Sequence, residues 1–123
     1  MPEKDNAPRE LTVFTHAKKT CEYIFAITKS APKQYRWNII DKVINAGLSI
    51  VELLYRANDA RDAETRETIQ READTAIKYT SWLVTMGQRM EVFTKHQTEH
   101  LGKLILETRR ALWAWIKSGS DTS

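Results

Sequence analysis

The chain has 123 residues, 41% of them hydrophobic and 28% charged, with a formal net charge of +3, so one domain can bury a core without disulfides or a structural metal. Four glycines and three prolines are too few for a many-stranded fold, and the lone cysteine, Cys21, excludes an internal disulfide, a paired-thiol centre and a Cys-rich zinc site. The polar start, Met1 to Leu11, lacks the apolar stretch of a secretory signal, and Glu52, Lys78 and Glu107 interrupt the greasiest segments. These features lead to the expectation of a soluble, cytoplasmic protein with no membrane partner.

Residues 1–10 read as a flexible N-terminal segment, after which the apolar spacing becomes helical. The first element places Val13, Ala17, Cys21, Ile24 and Thr28 on one stripe, widened by Phe14 and Phe25. Ser30-Ala31-Pro32 ends it, because proline disfavours helical geometry at the residue before it and cannot donate to the preceding turn. The second element carries Ile40, Val43, Gly47, Ile50 and Leu54 at the same spacing. Asn58, Asp59 and Asp62 are turn and cap residues, so the link to the third helix falls between Ala57 and Glu64.

Ile69, Ala73, Ala76, Thr80, Leu83, Gly87 and Met90 form the third seam, and a break follows between Gly87 and Thr94. Thr94 with Gln97 three residues on has the spacing of a capping box. The last seam runs Gln97, Leu101, Leu104, Thr108, Ala111 and Trp115, Gly119 is expected to close the helix, and residues 118–123 read as a flexible tail. Four stripes of about 20 residues, each near 30 Å long, with short links imply an all-α, antiparallel up-and-down four-helix bundle over residues 11–117. The first and last helices then become neighbours.

Charge is uneven along the chain. Residues 1–36 carry seven Lys/Arg against four Asp/Glu, residues 37–77 five against eight, and residues 78–123 seven against four. Adjoining basic end helices would give one positive face that attracts phosphate-rich partners, with an ordinary solvated surface as the alternative.

Catalytic signals are sparse. His96 and His100 are four apart, but Gln97 stands where a zincin has its glutamate base, and no third ligand is evident. Arg89 and His96 fit the loose arginine-to-histidine spacing of HEPN-type helical ribonucleases, in which the pair converges on a scissile phosphate. No phosphate loop, catalytic triad order or activated cysteine appears, and no cofactor or metal is implied. Trp113 and Trp115 are two apart and so point to different faces of a helix. Trp115 is assigned to the core, while Trp113, with Trp37 and Trp82, reads as an oligomer or partner anchor.

The segments Leu11-Thr-Val-Phe14, Lys29-Ser-Ala-Pro-Lys33, Ile44-Asn-Ala-Gly-Leu-Ser-Ile-Val-Glu52 and Arg110-Ala-Leu-Trp-Ala-Trp-Ile-Lys117 together resemble one four-helix-bundle family. It includes the proteins encoded in intervening sequences of bacterial large-subunit ribosomal RNA genes and the accessory variability determinant, Avd, of diversity-generating retroelements. Ala73-Asp74 followed by Trp82-Leu83, and the final Trp115-Ile116, are more similar to the Avd branch. That resemblance, from about Leu11 to Lys117, implies a non-enzymatic, homopentameric accessory protein. Its implied partners are a reverse transcriptase and RNA, with DNA as a second candidate, during mutagenic copying of a template. Ser81 and Thr85 stand near positions where compared Avd proteins carry third-helix arginines. A basic contact surface is therefore drawn more from Lys18, Lys19, Lys103, Arg109 and Arg110; Lys78 and Arg89 are the nearest cations on the third helix, and Lys78 joins the nucleic-acid-binding set. The alternatives are the helical ribonuclease and a bundle that binds another protein without nucleic acid.

Overall fold

The computed structural model describes residues 11–122, without the side chains at 36, 37 and 120–122. Four α-helices account for most of them: α1 (Thr12–Lys29), α2 (Asp41–Asn58), α3 (Ala63–Arg89) and α4 (Lys95–Thr122). A 3₁₀ turn, Lys33–Tyr35, and a π-helical stretch, Arg36–Ile40, lead directly into α2. The expected segment 1–10 lies outside the described residues.

Local chemistry accounts for most helix ends. The α1 helix stops at Ser30, two residues before Pro32, as the proline rule requires. Asp62 caps α3 by accepting from the backbone N–H of Thr65 at 2.7 Å. At the start of α4 the capping box is complete: Thr94 Oγ1 accepts from Gln97 N, and Gln97 Oε1 accepts from Thr94 N, both at 3.0 Å. The α3 helix ends in a Schellman motif. Val92 N donates to Gly87 O at 2.8 Å and Glu91 N to Gln88 O at 2.9 Å, while Glu91 takes the left-handed conformation with φ 63°. Gly119 does not close α4, which continues through it to Thr122; a glycine inside a helix costs only about 1 kcal/mol and does not by itself terminate it.

Consecutive helices pack side by side, and α4 returns to α1. Paired residues give the directions. Phe14 meets Tyr55 while Cys21 and Ile24 lie beside Gly47, Phe14 meets Trp115 while Tyr23 meets His100, and Arg71 meets Trp113 while Asp74 meets Arg109. In each pair one number rises as the other falls, so α1 opposes α2 and α4, and α3 opposes α4. An up-and-down bundle follows.

The expected second seam is buried throughout, Ile40 at the end of the π-helical stretch and Val43, Gly47, Ile50 and Leu54 within α2, as is that of α1. Phe25 is the exception on the widened α1 stripe, being 44% exposed. In α4 the buried set is Leu101, Ile105, Thr108, Leu112 and Ile116, while the expected Leu104, Ala111 and Trp115 are half-buried against it. That helix presents two neighbouring apolar stripes, one toward α1 and one toward α3, and both pack. Inside this apolar core Thr20 and Thr108 touch across α1 and α4, their hydroxyl oxygens 3.2 Å apart. Each hydroxyl also lies 2.9 Å from the carbonyl four residues earlier, His16 O and Leu104 O respectively.

Candidate nucleic-acid and partner interface

The most elaborate polar contact of the described chain joins α3 to α4. Asp74 sits on the inward side of α3, its side chain only 8% exposed. Its Oδ1 accepts from Arg109 Nε at 2.7 Å and from Trp113 Nε1 at 3.0 Å, and Lys78 Nζ lies 3.8 Å from Oδ2. Burial alone would raise the Asp74 carboxyl. The donors from Arg109 and Trp113, with the charges of Arg109 and Lys78, outweigh it and hold the group below the ordinary carboxylate range. The same contact raises the Arg109 guanidinium.

This network engages three residues expected at the surface, of which Lys78 and Arg109 remain exposed and Trp113 does not. Arg109 is turned toward α3 and committed to a carboxylate, and Lys78 leans on the same group. Trp113, expected on a free outer face, is half-buried, hydrogen-bonded, and covered by the Arg71 guanidinium 5.1 Å from its ring centroid. A single apolar stripe on α4 does not reveal this, because a second stripe of the same helix packs toward α3. Trp115, given to the core, is half-buried on the opposite flank and packs on Phe14. The Trp37 side chain lies outside the described residues.

The remaining cations separate by direction. Lys18 turns toward α2, with its Nζ 5.4 Å from the Tyr55 ring centroid. Lys19 lies one turn before Tyr23, and Lys103 one turn after His100. Because Tyr23 and His100 are in edge contact at 4.5 Å on opposed helices, Lys19 and Lys103 come to the same stretch of the α1–α4 surface. Arg110 is exposed seven residues beyond Lys103, and exposed Lys117 seven beyond that, so three cations repeat along the outward side of α4. Lys117 was not singled out in the sequence, although its heptad spacing from Lys103 and Arg110 was readable there. Glu107 lies within this surface and approaches His16 Nδ1 at 3.7 Å.

Aromatic and apolar groups are exposed elsewhere. Trp82 is 57% exposed and stacks on Tyr79, with centroids 6.3 Å apart and ring planes at 20°. Between α1 and α2 an open groove of about 600 Å³ is floored by Phe25, Leu48, Val51 and Tyr55. Neither Tyr79 nor this groove was anticipated; the groove depends on two helices meeting, which one periodic stripe does not reveal. Arg89 closes α3 and His96 lies in the first turn of α4, both exposed, on either side of the turn at residues 90–94. His100 is occupied by its contact with Tyr23. Among the described residues no group of His, Cys, Asp and Glu is placed to hold a metal ion, and no helix is long and apolar enough to cross a membrane.

Four packed helices with a cationic row on one side and apolar features on others define an all-helical bundle whose distinctive chemistry lies on its outer surfaces. The chain belongs to the bAvd-like family, which matches residues 11–119 and so takes in all four helices. No curated protein matches the chain.

Proposed function

We propose that this protein is a non-enzymatic accessory subunit of a diversity-generating retroelement, a homo-oligomer that binds a reverse transcriptase and RNA and supports mutagenic copying. The bAvd-like match across the whole bundle carries this reading. The outward row of Lys103, Arg110 and Lys117, joined by Lys19, supports the nucleic-acid part. Such a row contacts phosphates, so it holds RNA with little preference among sequences, and a ring of copies multiplies weak contacts. Lys18, Lys78 and Arg109 contribute less to this surface, since their charged ends are engaged by aromatic rings or by Asp74.

The test is binding of fluorescent single-stranded RNA at 50 and 200 mM salt by the wild type and by Lys103→Glu with Arg110→Glu. Affinity should fall steeply with salt, and the double reversal should weaken low-salt binding by about tenfold or more at unchanged helical content. Binding indifferent to both changes would remove the electrostatic reading. Cleavage of the RNA that disappears in His96→Ala would replace the scaffold with the ribonuclease. The partner assignment is tested by co-elution with a purified retroelement reverse transcriptase.

A further inference from the structure

We propose that the stacked Tyr79–Trp82 pair of one copy seats in the α1–α2 groove of the next, forming a head-to-tail interface between copies of this chain. The proposal rests on the homo-oligomeric reading above and assigns the two surfaces, which that reading leaves open.

Exposed apolar groups are concentrated rather than scattered. The large hydrophobic side chains that stand exposed among the described residues are Phe25, Leu48, Tyr55, Tyr79, Trp82 and Leu106. All but Leu106 fall in two patches, the groove and the stacked pair, and clustering of this kind marks contact surfaces. The shapes differ: one is a concavity of about 600 Å³, the other a stacked pair in which Trp82 stands 57% exposed while Tyr79 also lines a smaller cleft between α2 and α3. Each ring can bury roughly 150–250 Å², against about 800 Å² per partner in a stable interface. The pair therefore acts as the anchor of a wider contact between helices.

Charge agrees with shape. The groove is bordered by Glu22, Glu52 and Asp59 against Lys18 and Arg56, and Arg56 is 3.5 Å from Glu52, so the border is acidic on balance. Residues 75–86, which carry the projection, contain no Asp or Glu and one cation, Lys78. Exposed Arg89 follows two turns after Trp82 on the same side of α3. A like-charged mismatch is thereby avoided, and Arg89 supplies the attraction, since Lys78 is engaged by Asp74. The same facts disfavour the pair as a platform for nucleic-acid bases. Such platforms sit in cationic grooves, whereas Lys78, the cation beside the rings on α3, leans on Asp74 at 3.8 Å, and Lys42, which lines a cleft with Tyr79, shares it with Glu72.

Placement limits the symmetry. The α3 helix packs on α2 and α4, and its outward side carries Trp82, whereas the groove opens between α1 and α2. Projection and groove are on different sides of one molecule, so a copy cannot fill its own groove. Contacts between unlike surfaces propagate from copy to copy and close into a ring when the rotation permits.

Trp82→Glu removes the projection and leaves the groove, and Leu48→Glu does the reverse; both positions are exposed, and circular dichroism should show unchanged helical content. Masses are measured by sedimentation velocity at micromolar concentration. The wild type should be larger than a dimer, each variant should be a monomer, and an equimolar mixture of the two variants should give a species of two chains and nothing larger. One intact groove and one intact Trp82 remain per mixed pair, so that result requires a contact between unlike surfaces, and a wild type larger than a dimer makes it head-to-tail, because a reciprocal dimer would stop at two wild-type chains. A wild-type monomer would overturn the homo-oligomeric reading itself. A wild-type oligomer whose mass survives either substitution, or variants that fail to pair on mixing, would overturn the surface assignment while leaving assembly intact.

Discussion

The ring of Phe93 lies so close over Gly87 that a Cβ added at residue 87 would fall 2.6 Å from Cδ2 and Cε2 of the ring. The turn between α3 and α4 folds its aromatic back onto the last turn of α3, and only a residue without a side chain leaves room. Gly87→Ala should destabilise the bundle by about 2 kcal/mol through overpacking. In a Phe93→Ala background the same change should cost nothing or give a small gain, because alanine is the better helix former. Urea unfolding of the four proteins of this cycle checks the coupling.

One step further along that turn, Glu91 occupies the left-handed region at φ 63° without being glycine. Glu91→Gly should relieve this strain, raising stability by up to about 1 kcal/mol and the melting temperature by a few degrees. Thermal denaturation followed at 222 nm reads the shift, and a lower melting temperature would contradict it.

The Asp74 contact makes stability depend on pH. Its carboxyl is depressed in the folded protein, so the stabilisation is fully present above the unfolded carboxylate value near 4 and is lost as pH falls through the lower folded value. Asp74→Asn should therefore flatten the acid limb of a stability-against-pH curve between about pH 5 and the folded value. At neutral pH it should cost on the order of 2 kcal/mol, less than a fully buried pair, because the Arg109 side chain is 44% exposed.

Much of the fold was legible in the sequence because bundle helices announce themselves by period. Every seam residue named on α2 is buried, and both side chains of the capping box at Thr94 and Gln97 bond as their spacing implied. The face that α4 turns to its neighbours was less legible, since Leu104, Ala111 and Trp115 compete with Ile105, Leu112 and Ile116 on adjacent stripes, and only the position of α3 decides between them. The same limit hid the role of Arg109. A carboxylate at position 74, on the buried stripe with Ala73 and Ile77, did signal that a cation had to come from somewhere, but its partner is 35 residues away.

Cys21 should be inert while the bundle is folded. Burial, with a smaller effect of the nearby Glu22 charge, pushes its thiol up to about 11, so almost no thiolate exists near neutrality. Iodoacetamide at pH 8 should modify the native protein far more slowly than the urea-unfolded chain, as followed by intact mass. Equal rates in the two states would contradict the buried, protonated thiol.

The threonine hydroxyls at positions 20 and 108 take part in three close oxygen contacts, one with each other and one with each helix's own carbonyl, but between them they own two protons. At every instant one of the three contacts lacks a hydrogen. When Thr20 donates to Thr108 the His16 carbonyl goes without, the reverse donation leaves the Leu104 carbonyl without, and when each hydroxyl donates to its own carbonyl the two oxygens face each other without a hydrogen. Those carbonyls already serve the backbone ladder, so the shortage is mild, and replacing both residues with valine should leave stability nearly unchanged or slightly higher. Replacing only one ends the sharing and fixes the surviving proton on its own helix, which leaves α1 and α4 held at that level by shape alone.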